Sequence, residues 1–116
     1  MNLESREYWK SLIGMSTCKF FLLQALYQGP GHGYALLERM RSYTEGRCTA
    51  SYGAIYPILK KLAKGDYALV KSETVGYRKR KVYELTEKGE KVFREASKAW
   101  QDILPYIRKA ADEGIH

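Results

Sequence analysis

No stretch of this chain is apolar for long enough to cross a membrane. Its longest apolar run, Phe20-Phe21-Leu22-Leu23, is broken by Gln24 and suits a buried helix. The first ten residues, MNLESREYWK, carry acidic side chains and no apolar core segment, which reads as no signal peptide and a cytoplasmic protein. Cysteine is scarce: Cys18 and Cys48 stand alone, outside any CxxC or Cys/His cluster, so they are expected as free thiols without a metal. Histidine is equally scarce. His32 lies in a glycine-rich turn and His116 is the last residue, and neither has a Ser, Cys or carboxylate at a recognisable spacing. The carboxylates are scattered over polar positions, with no apolar flank to raise a pKa. "GPGHG" (29–33) has the glycines of a phosphate loop but not its Lys-Ser/Thr. These absences exclude the usual catalytic constellations: the sequence does not read as an enzyme and implies no cofactor.

Positive charge is what the chain does have. Among 116 residues, 20 are Lys or Arg against 13 Asp or Glu, a formal net charge of +7. Between Lys60 and Lys81 stand eight basic residues and two acidic ones, so six of the seven excess charges fall in about a fifth of the chain. A clustered positive field attracts polyanions, although a solvated basic surface is the plainer reading of the charge alone. The length suits one domain with a modest core, and 45% hydrophobic residues argue against disorder. There are no internal repeats or low-complexity segments.

Apolar spacing predicts a helix over 3–13, capped by Asn2 and ended by Gly14, with Tyr8, Trp9, Leu12 and Ile13 on one face. A second helix is predicted over about 17–28, with Ser16 or Thr17 as its cap, before "GPGHG" turns the chain. A third follows over 33–43, with Tyr34, Leu36, Leu37 and Met40 as its apolar stripe and Glu38, Arg39 and Arg41 outward. "RCTA" (47–50) is expected to be a short extended segment. A helix over 51–64 ends at Gly65 as C-cap glycine. "YALVKSETV" and "KRKVYELT", joined around Gly76, read as a hairpin, and Thr86 caps a final helix. Helices followed by a basic two-stranded hairpin make the plan of a winged helix-turn-helix, a mostly α (α+β) fold. The domain division is 1–15 as N-terminal helix, 16–86 as the winged unit and 87–116 as the C-terminal helix.

The helix over 51–64 contains Gly53 and Pro57, the residue types least suited to a helix interior. On a helical wheel Ile55, Ile58, Leu59 and Leu62 converge on the core. Gly53 and Pro57 fall on the opposite side, with Lys60 and Lys64, and are flanked by Tyr56 and Lys61. Small residues at the N-terminal end let a backbone approach base edges in a major groove, while lysines farther along meet phosphates. Ser51, Tyr52 and Gly53 are the candidates to face bases. Tyr34, Tyr56, Lys60, Lys61 and the hairpin's Arg78, Lys79 and Arg80 are the candidates for phosphates.

"LLQALYQGPGHGYALLERM" (22–40), "SYGAIYPILKKLAKGDYALV" (51–70) and "RKRKVYELTEKG" (78–89) together resemble the PadR family of transcriptional regulators over about two-thirds of the chain. The resemblance implies a homodimeric, DNA-binding repressor with a winged helix and a C-terminal dimerisation helix. Tyr67-Ala68, where the family usually has a shorter link into the wing strand, and Tyr52, where proline is common, depart from its pattern.

In the last helix Phe93, Ala96, Trp100, Ile103, Ile107 and Ala110 are spaced as a heptad seam, which Pro105 is expected to disturb by a kink near Gln101. Such a seam can pack on the chain's own N-terminal helix or on a second subunit. A two-fold dimer on a palindromic operator favours the second. Tyr8, Trp9, Leu12, Phe93, Ala96, Trp100, Ile103 and Ile107 are the dimer candidates. Some small members of the family resemble this chain in having a Trp on that helix, and the resemblance implies that flat aromatic ligands can enter between subunits; Trp100 either lines such a pocket or, the plainer reading, is an ordinary core or interface aromatic. The rival reading is a winged-helix protein-interaction module without a DNA role, which would have no need of "RKRK" beside Lys60, Lys61 and Lys64. RNA binding lacks the aromatic platform on strands that it uses.

Overall fold

The computed structural model describes residues 2–115 and contains four helices and three strands. They run in the order α1 (Arg6–Tyr27), β1 (Gly31–His32), α2 (Gly33–Tyr43), α3 (Tyr52–Lys64), β2 (Ala68–Val75), β3 (Arg78–Leu85) and α4 (Glu87–Ile115). The sheet is antiparallel, in the order β1-β3-β2. The core lies where α1, α2 and α3 converge. Leu22, Leu26, Leu36, Met40, Ile55 and Leu59 are fully buried there, and Ala68 and Tyr83 close it from the sheet. This is the winged helix-turn-helix plan read from the sequence, with α2 and α3 as the paired helices and the β2–β3 hairpin as wing.

The helix ends differ from expectation. The two helices expected over 3–13 and 17–28 are one, α1, which starts only at Arg6 and ends at Tyr27, so the division drawn at residue 15 falls inside a helix. The hydroxyls expected to cap a new helix are spent inside it: Ser16 Oγ and Thr17 Oγ1 each donate to the Ile13 carbonyl at 2.9 Å. A helical glycine such as Gly14 costs about 1 kcal/mol, less than stranding the backbone groups of two new helix ends. Asn2 does not cap the helix either. Its Oδ1 accepts from Glu4 N at 3.1 Å, and the N-cap is Ser5.

"RCTA" forms no strand. The third strand is β1, hidden in the glycine-rich turn, where Gly31 pairs with Tyr83 and His32 with Val82. Two residues are too few to show a period. Gly65 caps α3 with φ −90°, and the left-handed residue is Asp66, with φ 62°. Arg39 turns inward rather than out, donating to the carbonyls of Ala25 (3.2 Å), Gly29 (2.8 Å) and Pro30 (2.7 Å). It thereby satisfies carbonyls that the end of α1 leaves open.

The junction of α3, the wing and α4 is tightly tied. Thr86 Oγ1 accepts from Gly89 N at 3.1 Å, as the predicted cap, and donates to Asp66 O at 2.7 Å. A Cβ at Gly89 would collide with the Tyr67 carbonyl, so only glycine lets α4 start this close to the link. Lys88 Nζ donates to Gly65 O at 2.9 Å and lies 4.5 Å from the centre of the Tyr67 ring. From there α4 continues helical through Pro105 to Ile115.

Candidate nucleic-acid interface

Helix α3 is anchored by the predicted face: Ile55 and Leu59 are fully buried, Leu62 nearly so, and Ile58 packs against the same core. Its opposite face is open. Ser51, Gly53, Ala54, Pro57, Lys60, Lys61 and Lys64 are all exposed. Ser51 Oγ accepts from Ala54 N at 3.2 Å and so caps the helix. Pro57 removes the donor that would have met the Gly53 carbonyl, and Gly53 is exposed to solvent.

Three tyrosines link α3 to the start of α2. Tyr34 and Tyr52 stack with ring centroids 5.0 Å apart and planes 13° apart, and Tyr52 and Tyr56 stack at 5.6 Å and 28°. Gly33 makes this possible, because a Cβ there would run into the Tyr52 ring. Tyr34, which the apolar spacing placed in the stripe of its helix, is instead 69% exposed. Beneath the stack, burial and the neighbouring Tyr52 and Tyr56 push the Tyr83 phenol above its usual pKa. His32 caps α2, its Nδ1 accepting from Ala35 N at 3.3 Å.

Between this stack and the wing lies an open cleft of about 520 Å³, lined by His32, Gly33, Tyr34, Tyr52, Tyr56, Val75 and the run Arg78–Lys81. Four cations and no carboxylate line it, and one of the four, Arg80, is paired with Glu73 just outside the lining, so the net charge an anion meets is positive. Strand alternation divides the cations. Register pairs Val70 with Tyr83, Ser72 with Lys81 and Thr74 with Lys79 on one face, and Glu73 with Arg80 and Val75 with Arg78 on the other. Lys79 and Lys81 thus share the face of buried Tyr83. Arg80 forms an ion pair with Glu73 at 3.6 Å across the outer face.

Of the residues read from sequence as DNA contacts, Tyr34, Tyr52, Tyr56, Arg78, Lys79 and Arg80 line this cleft, whereas Ser51, Gly53, Lys60 and Lys61 are exposed on α3 outside its lining. Sequence reasoning counted Lys81 in the basic run of the hairpin but not among the candidate contacts, and it missed Gly33 as lining of the cleft, since that depends on a contact across two helices.

The proposed dimer residues separate into two groups. Phe93 and Trp100 pack within their own chain, Phe93 against Phe20 (5.5 Å) and Tyr27 (4.9 Å), Trp100 against Phe20 (5.8 Å). Ala96 is half-buried. Trp9, Leu12, Ile103 and Ile107 are all close to half exposed. Tyr8 meets Trp9 edge to face at 5.4 Å, and Trp9 Nε1 donates to Leu3 O at 2.9 Å. Cys18 and Cys48 are free thiols, and burial, with the nearby Cys48, pushes Cys18 upward in pKa. His116 lies outside the described residues. Among those described, no group of His, Cys, Asp and Glu could hold a metal ion, and no helix is long and apolar enough to cross a membrane.

Three converging helices followed by an antiparallel hairpin that carries Arg78–Lys81 define a winged-helix protein. The model of the transcriptional regulator PadR-like family matches residues 22–95, and the chain belongs to that family. Its members are regulators of transcription rather than enzymes. The fold is similar to that of a PadR-family transcriptional regulator from Eggerthella lenta, with a TM-score of 0.77 and 22% identity over 90% of each chain. It is also similar to a transcriptional regulator from Clostridium thermocellum, with a TM-score of 0.72 and 20% identity over 80% of this chain and 91% of that one. Bacillus subtilis PadR in complex with operator DNA is similar at a TM-score of 0.61 and 25% identity, over 68% of this chain and 45% of that one. No curated protein matches the sequence.

Proposed function

We propose that this DNA-binding regulator is a cytoplasmic, homodimeric repressor that recognises a palindromic operator. The observation that carries the reading is the four-cation cleft, free of carboxylates, beside the exposed face of α3. Ser51, Tyr52 and Gly53 lie at the end of α3 that would enter a major groove. Tyr34, Tyr56, Lys60, Lys61, Arg78, Lys79 and Arg80 are assigned the phosphates, a reading supported by their charge or hydroxyl groups and their exposure, which is partial at Tyr56. The operator complex of the Bacillus subtilis relative supports double-stranded DNA as the partner.

The half-exposed apolar side chains of α1 and α4 support a second copy as the other partner. In that dimer residues 1–15 and 87–116 supply the contact, and 16–86 the DNA-binding unit. A planar aromatic effector entering beside Trp100 would shift the separation of the two α3 helices and lower affinity.

The test is anisotropy of a labelled duplex from upstream of the protein's own gene, against random duplex, at several salt concentrations. Upstream DNA is expected to bind about 10³-fold tighter than random. Binding that is absent, or equal for any duplex, overturns the reading and leaves a protein partner as the target.

A further inference from the structure

The exposed start of α3 holds few free hydrogen-bonding groups. The Ser51 oxygen accepts from Ala54 N at 3.2 Å, which leaves one hydroxyl proton, a single-point donor that does not make a bidentate base contact. Tyr52 is stacked on both Tyr34 and Tyr56, with its ring against Gly33. Gly53 has no side chain. What the first two turns offer outward is Gly53, Ala54 and Pro57, all exposed, bordered by the Tyr56 ring. The first cationic side chain on this face is Lys60, seven residues after Gly53 and about 10 Å farther along the axis.

A hydrogen-bonding code for guanine or adenine needs Arg, Lys, Asn or Gln near the helix start. None stands there, and the surface that does is small and apolar. The base-edge group such a surface fits is the C5 methyl of thymine. We propose that Ala54 and Pro57 are the specificity-determining residues of this chain and read thymine methyls, with sequence preference carried by apolar contact more than by hydrogen bonds. This rests on the DNA-binding reading above.

Replacing thymine by deoxyuridine removes the methyl and leaves base pairing and phosphates intact, so it tests the idea on the DNA without touching the fold. Duplexes are first selected by the full chain from a random pool, then remade with deoxyuridine at one thymine at a time. At one or more thymines per half-site the affinity is expected to fall about four-fold, as for one methyl-sized group lost from an apolar contact. The slope of affinity against salt should not change. With Ala54→Gly the same deoxyuridine should cost nothing at the thymine that Ala54 meets, because the contact is already gone.

A selected sequence in which every thymine tolerates deoxyuridine overturns this proposal alone. A pool that yields no enriched sequence overturns the DNA reading together with it.

Discussion

Tyr83 joins the wing to the helical core, and its phenol is buried below two other tyrosines, without charge compensation. Burial and the neighbours raise its folded pKa above the usual 10.0. A phenol with a raised pKa is harder to ionise in the folded state than in the unfolded one. Its contribution to stability is therefore complete below about pH 10 and lost as the pH rises from the unfolded towards the folded pKa. Tyr83→Phe should flatten the alkaline limb of a urea-unfolding series between about pH 9 and 11 while changing neutral stability by less than about 1 kcal/mol. An alkaline limb equally steep in the variant would assign the loss to other groups. Arg39 shows the other kind of residue-scale surprise. Its guanidinium sits under three carbonyls from the end of α1 and the following turn, a partnership between distant segments that no helical wheel contains.

Among the elements, the wing carries charge on both faces, so its basic residues are not interchangeable. Lys79 and Lys81 share the face of Tyr83, whereas Arg80 is partly neutralised by Glu73. Lys79→Ala with Lys81→Ala should reduce the slope of log affinity against log salt by about two per bound subunit, as for two lost phosphate contacts. Arg80→Ala should change it by one or less. Fluorescence anisotropy across a salt series measures both, and equal effects from the two variants would mean that the face of the strand does not matter.

Much of this was legible beforehand because long periodic elements declare themselves. The core face of α3 and the hairpin strands follow from spacing alone. The break at Gly14 did not materialise, since a glycine and two hydroxyl residues signal a helix end only when nothing inside the helix takes up the hydroxyls. The cleft was half legible. Its cations stand in one run of sequence, but the tyrosine stack depends on Gly33 and Tyr52 meeting across two helices.

The whole molecule is long for its size. It measures 55 × 28 × 23 Å with a radius of gyration of 16.2 Å, against about 13 Å for a compact domain of this length. The excess comes from α4, whose 29 residues extend about 43 Å. Its first half packs on α1 through the cluster of Phe20, Phe93 and Trp100, and its second half, including Ile103, Leu104 and Ile107, is exposed. Such a half-helix is poorly stabilised by itself, so a covering partner is expected to fix it. Ile103→Lys with Ile107→Lys should convert a sedimenting dimer into monomer at micromolar concentration and weaken operator binding. Unchanged sedimentation would place the partner surface elsewhere.

Because α1 is one rod from Arg6 to Tyr27, its apolar outer half cannot swing independently of the half locked in the core. In a dimer gripped through that outer half, the two reading heads are fixed like the points of a locked caliper. An extra base pair between half-sites displaces the second by about 3.4 Å and rotates it by about 35°. A rod without a hinge offers no way to follow, so the operator's spacing would be as strictly selected as its bases.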